Sequence, residues 1–192
     1  MSIEEPLENC VFRLFHDIHP LDRVARAGYI LRGVAEPESV AAHSHFVALM
    51  TLLYCDAYPD DFDKDKAVAM ALTHDLAEAV IMDIPMPAVD GHFGKVKYAA
   101  EQAVTEQLFA GFPERYAALH HELGEAKTPE ARLVRALDKA QMMIKIVMYI
   151  REGRGRLTEF WQNPKNFNDF GIEPVSRLFD RICEEAGMPR PR

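Results

Sequence analysis

Four side chains able to hold a metal ion stand where apolar residues are expected. His43 interrupts a helical stripe of Val40, Val47 and Met50, and Asp138 interrupts a second stripe of Val134, Leu137 and Met142. In a third periodic segment the adjacent His74 and Asp75 intrude: Asp75 lies a turn from Ala71 and Ala79, and His74 shares a face with Met70 and Glu78. A buried, unpaired carboxylate is costly, so each acid requires a cationic partner, a cage of hydrogen bonds or a metal ion. Two imidazoles and two carboxylates converging from three helices make a mixed nitrogen and oxygen set, suited to a divalent ion with positions open to water or substrate. A closed structural zinc site more often uses thiolates. Cys10, Cys55 and Cys183 are odd in number, far apart and without a CxxC pair, which indicates neither a zinc knuckle nor a disulfide framework.

The elements that must position these groups read as helices. Apolar residues recur at helical spacing almost everywhere and strict alternation is hard to find, so the expected class is all-α. Pro6 opens a first helix and His19-Pro20 breaks it. A helix over 39–58 stops before Pro59, and Asp63 caps the next, which is expected to run to about residue 82 and to end firmly at Ile84-Pro85-Met86-Pro87. Further helices are predicted over 94–109 and 113–124, and a long one from the Thr128 cap, with Pro129 at its first position, to about residue 152. The last spans 174–185, with Gly187 as its left-handed terminator. Residues 26–33 read as a connection, and residues 153–171, Arg-rich and aromatic, suit a lid or a dimer contact.

With 192 residues, 48% of them apolar, the chain has material for one domain, taken as 1–192. A net charge of −8 argues against holding nucleic acid by its phosphates. Met1 to Asn9 lacks the basic and apolar stretches of a secretory signal, and the most apolar run, 142–150, is broken by Lys145 and too short to span a bilayer. The expectation is a soluble protein of a reducing cytoplasm, with no membrane partner.

In order along the chain come Glu38-Ser39-Val40-Ala41-Ala42-His43-Ser44, His74-Asp75-Leu76-Ala77-Glu78, Asp83-Ile84-Pro85 and Leu137-Asp138-Lys139. This series resembles the HD-domain superfamily of metal-dependent phosphohydrolases, whose pattern is a His, a His-Asp pair and a distal Asp on a helical bundle. The Glu-Ser-Val phrase, His-Asp-x-x-Glu followed by Met-Asp-Ile-Pro, and the Arg-Ala-Gly-Tyr-Ile-Leu-Arg segment at 26–32 are similar to its 5′-deoxynucleotidase branch. The resemblance covers roughly 21–160.

The resemblance implies that His43, His74, Asp75 and Asp138 ligate one divalent ion, with Mn, Co, Fe, Ni, Zn and Mg all open. It implies that Glu78 works on the attacking water and that Asp83 contacts the sugar hydroxyl. Two carboxylates neutralise a divalent ion, so a phosphate dianion still needs a cation, for which a guanidinium is suited. Arg26 and Arg32 are the candidates, and Tyr29 is the neighbouring aromatic, where relatives often carry Trp. His92, in a loop with Gly91 and Gly94, is a candidate substrate contact. The implied activity is hydrolysis of (deoxy)nucleoside 5′-monophosphates, and a homodimer is expected at family level. Rival readings are another HD phosphohydrolase or a di-iron oxygenase, and a non-catalytic HD domain that binds metal or nucleotide. His120 and His121, which would matter to a dinuclear site, are read as surface helix residues, and Met142, Met143 and Met148 as core.

Overall fold

A computed structural model describes residues 5–191; the first four residues of the 1–9 stretch examined for a leader lie outside the described part. Eleven α-helices are present among the described residues: α1 (Leu7–Ile18), α2 (Ala27–Ile30), α3 (Val40–Ala57), α4 (Lys64–Thr73), α5 (Glu78–Ile81), α6 (Met86–Ala88), α7 (Gly94–Leu108), α8 (Arg115–Glu125), α9 (Pro129–Arg151), α10 (Thr158–Gln162) and α11 (Glu173–Ala186). The all-α expectation holds.

The axis of the bundle is α9. Its Leu133, Val134, Leu137, Ala140, Met143 and Ile146 are fully buried, and they meet α11 through Val175, Phe179 and Ile182 on one side. On another side Val134 packs with Val47 and Ala48 of α3, Met70 and Ala71 of α4 and Leu119 of α8. Burying side chains of this size contributes roughly 1.5–3 kcal/mol each, so α9 is held from several directions and makes a rigid platform for Asp138. Thr128 Oγ1 accepts the Ala131 N–H at its start, as the sequence predicts.

The connection at 26–33 contains the short α2, and it is fastened to the start of α3. Val40 donates to the Val24 carbonyl at 2.8 Å and Arg26 donates to the Glu38 carbonyl at 3.1 Å, around a single bridge between Ala25 and Ser39. That fastening sets Arg26 above the first turn of α3.

The helix expected over 63–82 is two helices. Thr73 Oγ1 donates to the Ala69 carbonyl and the His74 ring donates to the Ala71 carbonyl, so side chains take acceptors that a continuing helix would use. The chain tightens there into i→i−3 bonds, Leu76 to Thr73 and Glu78 to Asp75. Met82 then closes α5 at φ 68, before the prolines rather than at them. The 153–171 region is no loose lid: Leu157, Trp161 and Phe167 are buried in the core.

Candidate metal centre and pocket

His43 sits on the first turn of α3, whose Ser39 cap accepts the Ala42 N–H at 3.2 Å. Its ring is wholly buried, and Nδ1 is bonded to Gln141 Oε1 at 2.6 Å, which leaves Nε2 pointing toward the acids. His74 is oriented the same way, Nδ1 on the Ala71 carbonyl at 2.8 Å. The two rings stand edge to face, 5.5 Å between centroids.

His43 Nε2 is 3.1 Å from Asp138 Oδ1 and 3.7 Å from Asp75 Oδ2, and His74 Nε2 is 3.1 Å from Asp75 Oδ2. Both Nε2 atoms are buried and neither makes an aligned hydrogen bond. Ligand atoms of His43, His74 and Asp75 lie within 4.8 Å of one another. Two orphaned imidazole nitrogens aimed at carboxylate oxygens are what a divalent cation requires, so the donor set fits a metal ion.

The electrostatics follow from crowding. Burial disfavours charge on His74, but the Asp75 carboxylate outweighs it and lifts the ring to about 9. Asp75 and Asp138 are held well below the usual carboxylate range: burial opposes ionisation, but His74 outweighs it for Asp75, and Lys139 and His43 do so for Asp138. Glu78 moves the other way. Burial first, then the charges of Asp75 and Asp83, push it up to about 9, and its Oε2 is buried without a partner.

A cavity of about 230 Å³ opens over this cluster. Arg26, Asp75, Glu78, Asp83 and Asp138 line it, with Tyr29 and Phe160 on its walls. Arg26 NH1 is 3.4 Å from Asp75 Oδ2 and 3.9 Å from Asp83 Oδ1. Burial costs that guanidinium, but Asp83, Asp75, Asp138 and Glu78 together keep it charged. Asp83 Oδ2 also accepts the Ala27 N–H at 2.6 Å, tying the α2 segment to the site. Arg32 reaches the cavity too, yet it is forked onto Glu159 at 3.0 and 2.6 Å. Tyr29 is buried, its hydroxyl donating to the Met142 carbonyl at 3.2 Å.

Two sequence expectations fare differently. His92 lies on an exposed π-helical turn at Val89–Phe93 and does not line the cavity. His120 is not a surface residue: it is buried on α8, stacked against Tyr98, with Nδ1 on Gln102 Oε1 at 3.1 Å. His121 is exposed and pairs with the Tyr98 hydroxyl. Sequence reasoning passed over Lys97, 3.3 Å from Glu78 Oε1 and paired with Glu101, and Lys139, 3.6 Å from Asp138 Oδ2; both line the cavity. Lys139 is readable as the neighbour of Asp138, whereas Lys97 looks like any solvated helix lysine.

Comparison with known proteins places this geometry in a family. The family described as "HD domain" matches residues 18–166. The 5′-deoxynucleotidase HDDC2 of Xenopus laevis is 34% identical over 86% of this chain and 82% of its own length. The human protein of the same name is 33% identical over 74% of this chain and 71% of its own. The crystal structure of protein PH0347 of Pyrococcus horikoshii superposes with a TM-score of 0.77 at 32% identity, covering 93% of this chain and 99% of that one. The chain therefore belongs to the HD-domain family, as an enzyme of the HD hydrolase type in the branch of the 5′-deoxynucleotidases.

Proposed function

We propose that the protein is a phosphomonoesterase that hydrolyses deoxynucleoside 5′-monophosphates to nucleoside and phosphate, using one divalent ion on His43, His74, Asp75 and Asp138. The observation that carries this reading is the pair of buried, unpartnered Nε2 atoms set against Asp75 and Asp138, two acids that line the same cavity as Glu78 and Arg26. The activity named for the relatives at 31–35% identity supports the substrate class.

When bound, the ion neutralises phosphate charge and acidifies a water at neutral pH. The chain's own groups do the rest. Arg26, at the cavity beside Asp75, would hold the phosphoryl oxygens. With an ion on Asp75 offsetting part of the negative charge that raises it, Glu78, beside the ligands and carrying one unpartnered oxygen, would be ionised and take a proton from the attacking water. The water oxygen bonds to phosphorus, the bond to the 5′ oxygen breaks, and that oxygen leaves with a proton as the nucleoside hydroxyl. Asp83 faces the sugar hydroxyl, and Tyr29 and Phe160 supply the apolar wall. Arg32, engaged by Glu159, serves the outer cavity, and His92 contacts at most a part of the substrate projecting beyond it.

The proposed assembly is a homodimer, for which exposed Phe12, Phe15, Phe46 and Leu53 offer apolar surface. The three buried free cysteines fit a reducing cytoplasm, and no helix among the described residues is long and apolar enough to cross a membrane.

The test is phosphate release from ribo- and deoxyribonucleoside 5′-mono-, 5′-tri- and cyclic phosphates after loading with Mn, Co or Mg, with Asp138→Ala as the blank. Release from deoxynucleoside 5′-monophosphates, lost in the blank, is the expected result. Turnover confined to triphosphates or cyclic phosphates, read from the nucleoside or nucleotide product, overturns the reading.

A further inference from the structure

Glu38 is a buried acid that the proposed reaction does not use. Its side chain is 2% exposed, its Oε1 has no partner, and its nearest cation, Lys145, is 3.7 Å from Oε2. A carboxylate in such a place is expensive to keep. Its one hydrogen-bonded side-chain contact is the amide of Gln141, whose Nε2 donates to Glu38 Oε2 at 3.0 Å. Gln141, on α9, is buried as well.

A carboxylate accepts and does not donate, so it fixes which end of the amide faces it. With Nε2 turned to Glu38, the carbonyl Oε1 is left to face His43, and at 2.6 Å it must receive a proton from Nδ1. A neutral imidazole that carries its proton on Nδ1 presents a bare lone pair at Nε2, the atom aimed at Asp75 and Asp138. Were the amide reversed, its NH2 would meet Nδ1 and drive the proton onto Nε2, the one position where it blocks a cation. Glu38 is itself held in place, its backbone N–H donating to the Tyr149 hydroxyl at 2.8 Å.

We propose that Gln141 is a positioning residue for the metal centre: Glu38 orients its amide, and the amide fixes His43 as the tautomer that binds the ion. The inference rests on the proposed function only in taking the His43 cluster as a metal site. It concerns ion affinity and makes no claim about substrate.

The test is calorimetric titration of the metal-free protein with Mn2+ and with Co2+. Gln141→Leu, close in volume but without an acceptor, is expected to weaken binding by about 10–100-fold. Gln141→Glu keeps an acceptor for Nδ1, the introduced carboxylate sharing a proton with Glu38, and is expected to bind within a few-fold of the wild type. A Leu variant that binds like the wild type, or a Glu variant as weak as the Leu variant, overturns the proposal. Should the Leu variant not fold, the wild type still answers. In the Zn2+-loaded protein labelled with 15N-histidine, His43 must show an Nδ1 proton that exchanges slowly with water, and a rapidly exchanging one overturns the proposal. Wild-type protein that binds neither ion would instead fail the metal-centre reading itself.

Discussion

Arg26 and Arg32 present the same guanidinium to one cavity in different company. Arg26 lies among the acids of the centre, while Arg32 is committed to Glu159 and stands 5.7 Å over the Phe160 ring. Arg26→Lys is therefore expected to lower kcat/KM on a deoxynucleoside 5′-monophosphate by about 10²-fold, since an ammonium cannot hold two phosphate oxygens at once. Arg32→Ala should cost less than about tenfold, mostly in KM, and steady-state kinetics on both variants checks the ranking. The sequence alone could not separate these arginines, because the difference is made by partners distant in the chain: Asp75 and Asp83 for one, Glu159 for the other. The four proposed ligands were legible because each interrupts an apolar stripe. Gln141 carries the same kind of signal, a polar residue between Ala140 and Met142, but an uncharged amide is easily read past.

At the scale of elements, the centre depends on where helices start and stop. His43 is one turn into α3, so the Ser39 cap steadies the ligand as well as the helix. Ser39→Ala is expected to destabilise the protein by about 1 kcal/mol, and Ser39→Gly by only a few tenths, which urea unfolding would measure. The break after Thr73 matters equally, because the tightened turn at 74–77 presents Asp75 and Glu78 to one cavity, with His74 Nε2 against Asp75. That break was not legible. No Gly or Pro marks it, the residues around it favour helix, and it arises from the Thr73 hydroxyl and the His74 ring taking backbone carbonyls. Caps that rest on local chemistry were legible at Asp63 and Thr128, which each accept an N–H three residues on, and at Gly187, which ends α11 at φ 64; Ser39, taken as helical, is a cap of the same kind. The anchoring of the 153–171 segment, expected as a lid or a dimer contact, was not legible because Leu157, Trp161 and Phe167 meet partners contributed by α9 and α11.

For the whole molecule, the site is a concentration of like charge on a chain that is already acidic. Asp75, Glu78, Asp83 and Asp138 face one cavity, against Arg26, Lys97 and Lys139. A divalent ion bound by the folded protein alone adds about 2.7 kcal/mol at a hundredfold excess over its Kd. For a chain of this size that is a rise of roughly 5–10 °C in Tm on loading with Mn or Co, reversed by a chelator and absent in His74→Ala. An unchanged Tm in the wild type would argue against a metal centre on these residues. The most direct test of the central claim follows phosphate release from a deoxynucleoside 5′-monophosphate while the metal-free protein is titrated with Co2+. The account predicts no release without the ion, a rise that saturates at one ion per chain, and none at any ion concentration in Asp138→Ala. Release from the metal-free protein, or a wild type that binds the ion and leaves every such nucleotide intact, would contradict it.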